Sequence, residues 1–172
     1  IVDEDKLGGI CLNWGCIPSK ALIRNAEVLN LFRHPDEFGI SIDNLQYDFG
    51  KAIDRSRQVV QKLTSGVGFL LKKNKVEQFE GHGRLKDANT VVVDEGDQTL
   101  TTANVIIASG ARFRELPSLP IDGHVVMTSR QALELREMPP RVVIVGAGAT
   151  GVEFAYIYRS YGAEVAVVEL LP

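Results

Sequence analysis

The stretch Arg141-Val142-Val143-Ile144-Val145-Gly146-Ala147-Gly148-Ala149-Thr150-Gly151-Val152-Glu153-Phe154 joins a β-branched apolar run to a glycine hexad and then to a helical pattern. Residues 141–145 have the composition of a buried strand, the hexad fits G-x-G-x-x-G, and residues 150–161 read as a helix closed by Gly162. A second apolar run at 165–169 ends in Glu169, 18 residues after Gly151 and close to the ~20 at which an acid follows such a turn. The hexad alone is a weak signal, and strand, helix and second strand around it make it a strong one. Gly146 permits the tight turn, Gly148 lets the backbone approach a pyrophosphate, and Gly151 lets the helix pack against the strand. The phosphates would sit on unpaired N–H groups along the turn and helix start, those of Ala147, Ala149 and Thr150 included. Glu169 would accept hydrogen bonds from ribose hydroxyls and repel a 2′-phosphate, so NAD is expected over NADP.

Upstream, residues 17–32 carry a helical pattern with Pro18 near its start, ended by His34-Pro35. Residues 49–73 read as a longer helix whose apolar stripe is Phe49, Ile53, Val60, Leu63, Val67, Leu70 and Leu71, finishing in Lys72-Lys73. Short strand-like runs follow at 76–80, 90–94, 98–101 and 105–108, a small β-meander feeding a last buried strand. Residues 112–127, with Pro117, Pro120 and Gly123, read as a linker. Thr128 and Gln131 resemble a capping box for a short helix that Pro139-Pro140 ends.

Cys11-Leu12-Asn13-Trp14-Gly15-Cys16 holds both cysteines, just before the first helix. A disulfide closing so short a loop adds little stability, about 2 kcal/mol. A helix N-terminus beside the pair lowers a thiol's pKa, which suits thiol–disulfide exchange. Spacing alone leaves two further readings open, a pair of inert buried thiols and half of a metal site.

The chain has 172 residues, 45% of them hydrophobic, with 19 basic and 22 acidic side chains and a formal charge of −3. That charge gives no reason to expect a nucleic-acid or anionic-membrane partner. No apolar run approaches the ~18–20 residues that span a bilayer, so a soluble protein is expected. Two cysteines and three histidines (His34, His82, His124) make neither a disulfide scaffold nor a zinc site the expectation.

Lys6-Leu-Gly-Gly-Ile-Cys-Leu-Asn-Trp-Gly-Cys-Ile-Pro-Ser-Lys20 resembles the redox-disulfide signature of the class I pyridine nucleotide-disulfide oxidoreductases. The resemblance continues through Gly81-His82-Gly83, residues 106–111 and Gly146 to Phe154. It implies an α/β fold of FAD- and NAD(P)-binding Rossmann-like domains. Residues 1–112 would be a partial FAD domain with a small β-meander, 113–138 a linker and short helix, and 139–172 the opening βαβ of an NAD domain. Cys11 would be the outer, interchange thiol and Cys16 the inner thiol against FAD. Lys20 and Glu153 would form a largely buried ion pair beside the flavin. Asp3 would hold the FAD ribose, Gly9 and Gly83 would make cofactor contacts, and Ser109, Gly110 and Ala111 would form a loop under the FAD pyrophosphate.

Within that family the Cys-Leu-Asn-Trp-Gly-Cys core is most similar to members that oxidise dihydrolipoamide with NAD; the alternatives are a sister reductase acting on mercuric ion or a glutathione-like disulfide, and a truncated nucleotide-binding module without turnover. The resemblance then implies lipoyl groups of a 2-oxo acid dehydrogenase complex or glycine cleavage system as partners. It also implies a homodimer in the complete protein, located in a bacterial cytoplasm or mitochondrial matrix. A first glycine hexad before Ile1, the remainder of the NAD domain and a dimerisation domain with its His-Glu pair have no counterpart here. The chain reads as an internal fragment, not expected to turn over by itself.

Glu169 generates one testable expectation. The complete protein should prefer NAD over NADP, because a carboxylate at the ribose meets a 2′-phosphate with repulsion and lost hydrogen bonds. Steady-state kinetics with both nucleotides measures this, and equal specificity constants would remove Glu169 from that role.

Overall fold

A computed structural model describes residues 1–170; Leu171 and Pro172, the last two of the expected NAD-side segment, lie outside the described residues. The chain runs through β1 (Val2–Asp3), α1 (Gly9–Trp14), α2 (Cys16–Arg33), a 3-10 turn (Pro35–Phe38), α3 (Phe49–Lys73), β2 (Phe79–Glu80), β3 (Gly83–Asp87) and β4 (Thr90–Val93). It continues through a second 3-10 turn (Asp94–Gly96), β5 (Gln98–Thr101), α4 (Ser129–Ala132), β6 (Arg141–Val145), α5 (Ala149–Ser160) and β7 (Glu164–Val168). The expected α/β class is present, and the strands form three small sheets, β1–β2 parallel, β3–β4–β5 antiparallel and β6–β7 parallel.

The helices hold the molecule together. α2 presents Leu22, Ala26 and Leu29, at i, i+4 and i+7, as one buried stripe. Against it pack Phe49, Ala52 and Ile53 of α3, Phe154, Ile157 and Tyr158 of α5, and Leu133 just after α4. Phe49 meets Tyr161 edge-on at 5.0 Å, and Phe154 lies 5.9 Å from Tyr158; such pairs add about 0.5–1.5 kcal/mol each beyond their burial. α3 starts on Asp48, whose Oδ1 accepts from Lys51 N at 3.1 Å, and ends in Lys72 and Lys73 where cations favour the helix dipole. α4 carries the capping box of Thr128 and Gln131. Arg136 beyond it forks onto both carboxylate oxygens of Asp54 on α3, and this guanidinium holds the Asp54 carboxyl below its ordinary pKa.

β6 and β7 run parallel in register Arg141↔Glu164 to Val145↔Val168, with α5 between them in sequence. Val142, Ile144 and Val165 point to the helices, while Val143, Val145, Val167 and Val168 stay exposed. β6 shows the period-two alternation of a strand covered on one face, whereas β7 is exposed along its second half.

Several expectations need correction. Residues 105–108 are no buried strand: Ile106 is 91% and Ile107 74% exposed, because no described strand lies beside them to complete the backbone hydrogen bonds. The strand expected at 76–80 shortens to Phe79–Glu80, the part that pairs with β1. Gly83–Asp87, read only as a turn region, is a strand of the meander. The stripe of α3 is buried only in its first half; Leu63 and Leu70 face solvent. Among the described residues, no helix is long and apolar enough to cross a membrane.

Burial pushes the Tyr158 hydroxyl up to about 12, from an ordinary value of about 10. Above pH 10 the unfolded chain releases this proton and the folded chain keeps it, so stability is complete below about pH 10 and falls as pH rises towards 12. Urea melts across that range should show a loss on the order of 3 kcal/mol that Tyr158→Phe abolishes; an identical slope in the variant would refute the assignment.

Candidate functional site

Cys11 and Cys16 are joined by a disulfide with their Cα atoms 4.8 Å apart, and both residues are exposed. The pair does not simply precede a helix, as expected. Cys11 lies inside α1, and Cys16 is the first residue of α2. Gly15 makes the corner between them: a Cβ there would lie 3.2 Å from Cys11 Cα and from Ile10 O. Ser19 Oγ donates back to Gly15 O at 2.8 Å and closes the first turn of α2. The first N–H groups of a helix have no partner within it and carry its positive end, so Cys16 sits where negative charge on sulfur is favoured.

Gly146 to Gly151 form the turn between β6 and α5. Gly146 takes φ 106°, which L side chains rarely adopt, and its N–H donates to Val168 O at 2.8 Å. A Cβ on Gly151 would lie 1.9 Å from Gly146 O, so only glycine fits. Around Gly148 the space is open, and as N-cap it offers the first turn no side-chain acceptor. Open space beside the unpaired first-turn N–H groups of Ala149, Thr150 and Gly151 fits a pyrophosphate. Glu169 comes back to this turn, its carboxylate accepting from Ala147 N and Leu170 N, each at 2.7 Å, so the expectation of an unpaired Ala147 N–H needs correction.

Lys20, one turn into α2, meets Glu153, one turn into α5, as an ion pair. Asn30 near the end of α2 donates to Ser160 Oγ at 3.1 Å near the end of α5. The two helices therefore run the same way, and the disulfide and the glycine turn lie at the same end. The expectation of a largely buried pair needs correction: the Lys20 side chain is 60% and that of Glu153 25% exposed. The pair faces solvent and is worth at most about 1 kcal/mol.

Asp3 ends β1, where its carbonyl accepts from Gly81 N and its carboxylate from Asp5 N, both at 3.0 Å. Gly83 lies beside the same strand: a Cβ there would come 3.0 Å from Val2 Cγ1. Ser109, Gly110 and Ala111 are exposed in an irregular segment, yet Gly110 packs on Ile10 of α1, 3.3 Å from its Cδ1 to a would-be Cβ. Gly9, with φ 63°, faces open space on the same helix. An acid at a strand end, and glycines that clear the surface beside Cys11, fit the ribose and the isoalloxazine side of FAD respectively.

Sequence reasoning did not single out the surroundings of Trp14. Arg130 lies over its ring at 3.9 Å, Lys6 at 4.7 Å and Arg57 at 5.7 Å from the centroid. Arg130 also pairs with Asp5 at 3.4 Å, tying α4 to the segment that enters the cysteine loop. Burial pushes the Arg57 guanidinium below its ordinary value, partly offset by Glu134, and its Nε and Nη2 are buried without a protein partner. Arg57 and Arg130 come from distant helices, and no local pattern marks them. Asn13, between the two cysteines, is marked by no local pattern, and burial alone identifies it.

The family model for pyridine nucleotide-disulphide oxidoreductases matches residues 1–172. The chain is 46% identical over 175 residues to dihydrolipoyl dehydrogenase of Chlorobaculum parvum and 46% over 176 residues to that of Mycobacterium bovis. Each comparison covers 100% of this chain but 37% and 38% of those proteins, so the chain spans under two fifths of their length. Among solved structures, LpdA of Mycobacterium tuberculosis superposes with a TM-score of 0.87 at 26% identity, over 98% of this chain and 38% of that one. The flavoprotein disulfide reductase RclA of Escherichia coli gives 0.76 at 25% identity, over 97% and 35%. With its disulfide and glycine turn on adjoining helix ends and a family match along its whole length, this chain belongs to the pyridine nucleotide-disulphide oxidoreductase family.

Proposed function

We propose that the complete protein oxidises dihydrolipoyl groups with NAD, using the Cys11–Cys16 pair, FAD and the Gly146–Gly151 turn. The observation that carries this reading is the common end shared by α2 and α5, where Lys20 and Glu153 link the disulfide helix to the dinucleotide helix. Residues 1–112 would serve the FAD side, 113–138 connect, and 139–172 open the NAD side. Asp3, Gly9, Gly83 and Ser109 to Ala111 would hold FAD. Gly146 to Gly151 would hold the NAD pyrophosphate, with Glu169 at its ribose. The dithiol would be a lipoyl group borne on a larger acyl-transfer or glycine-cleaving assembly, and the complete enzyme a homodimer.

In the forward direction a substrate thiolate attacks Cys11 Sγ and breaks the Cys11–Cys16 bond. The second substrate thiol then displaces Cys11 and closes the oxidised substrate. Cys11 is exposed and can be reached, while Cys16, at the start of α2, holds the resulting negative charge. Lys20 lies one turn along the same helix, paired with Glu153. The chemistry bound FAD supplies is acceptance of the cysteines' electron pair and its delivery to NAD as hydride.

The test is dihydrolipoamide-dependent NAD reduction by the full-length protein, with flavin absorbance and thiol titration. Turnover is expected, with a loss of at least a hundredfold in Cys11→Ser and in Cys16→Ser; a cysteine variant that keeps its rate would overturn the reading. Because the Lys20–Glu153 pair is exposed, Lys20→Ala should lower stability by no more than about 1 kcal/mol while slowing turnover at least tenfold. Equal slowing and unfolding would make the pair structural only. Gly151→Ala forces a Cβ onto Gly146 O and should abolish NAD binding in calorimetry while leaving the thiol count unchanged.

A further inference from the structure

Asn13 lies between the two cysteines, and among polar side chains it is unusually deep, only 2% exposed. Its Nδ2 donates to Leu7 O and Gly9 O, each at 3.0 Å, and lies 3.5 Å from Lys6 O. Three facing carbonyls demand a donor, which fixes the orientation of the amide and excludes a carboxylate in its place. Thr64 Oγ1 of α3 donates to Asn13 Oδ1 at 3.5 Å, and Arg57 Nη1 donates to its main-chain oxygen at 3.0 Å. The segment wrapped around the amide can turn so tightly because Gly8 and Gly9 take φ 96° and 63°. A side chain on Gly8 would strike Leu12 at 2.1 Å. This loop enters α1 immediately before Cys11.

The disulfide itself keeps Cys11 beside Cys16 only while it is closed. Once it opens, α1 is held by packing, by Arg57 of α3 and by the Asn13 amide, which joins α1 to its own entry loop and to Thr64 of α3. We infer that Asn13 is a positioning residue of the redox cycle, holding Cys11 within reach of Cys16 in the reduced state and so setting how readily the pair recloses. The inference rests on the redox reading of the cysteines. The balance is explicit: a dithiol reductant loses two electrons and two protons, its two S–H bonds giving way to one S–S bond. The Cys11–Cys16 bond breaks and two cysteine S–H groups form. Loosening Cys11 lowers the effective concentration of one thiol at the other. The disulfide is then easier to reduce, and its midpoint potential rises.

The experiment equilibrates the full-length protein in oxidised and reduced dithiothreitol mixtures and counts cysteine thiols by alkylation and mass. Asn13→Leu and Asn13→Asp should each shift the exchange constant towards the reduced pair by about tenfold, a rise of about 30 mV. Arg57→Gln, which frees the Asn13 carbonyl but leaves the amide, should shift it the same way by less. Unchanged midpoints in both Asn13 variants overturn the inference while leaving the redox reading intact. If those variants do not fold, an unchanged midpoint in Arg57→Gln overturns it. A wild-type pair that never exchanges with the buffer overturns both readings together. Stability is followed in parallel, since a purely structural role would lower the melting temperature and leave the midpoint where it is.

Discussion

The packing of α2 between α3 and α5 is the contact on which the chemistry of this chain depends. Ala26 is fully buried at the centre of the stripe, with Leu22 and Leu29 one turn to either side. A small residue there lets helices approach closely, and larger neighbours fill the flanks. Because α2 and α5 run the same way, their N-terminal ends fall together. The Cys11–Cys16 disulfide and the glycine turn, 130 or more residues apart in the chain, come to the same end of the molecule.

At that end the useful groups are mostly backbone. The unpaired N–H groups of a helix start attract negative charge without any charged side chain. α2 offers them beside the Cys16 sulfur, and those of α5 face the open space around Gly148. Glycine makes this possible where a Cβ would intrude, at Gly15 against Cys11 and at Gly151 against Gly146. The Lys20–Glu153 pair adds little stability in its exposed setting and bridges the first turns of the two helices.

The sheets contribute differently. Two of the three described sheets have two strands each, and Val143, Val145, Val167 and Val168 present apolar surface to solvent. Two-stranded sheets are marginal alone. Here they orient the turns that follow them, and the helical core supplies the cohesion.

Local physics made much of this legible from residues alone. The α3 bounds followed from the 3.6-residue stripe and the terminal lysines, because amphipathicity and the helix dipole act within a few residues; the Asp48 cap emerged only in the structure. The glycine turn, β6 and β7 followed from a hexad in which Gly146 takes a positive φ and Gly151 has no room for a Cβ, while the space around Gly148 is open. The cysteine motif marked the redox candidate for the same reason. Residues 105–108 could not be read correctly, since a strand exists only if another lies beside it, and composition does not report its neighbours. The exposure of Lys20, the stacking of Arg130 on Trp14 and the enclosure of Asn13 by carbonyls were likewise decided by tertiary structure. Each depends on groups brought from a different element, or from a loop folded back on itself, and that placement is set by packing rather than by the residue's own neighbours in sequence.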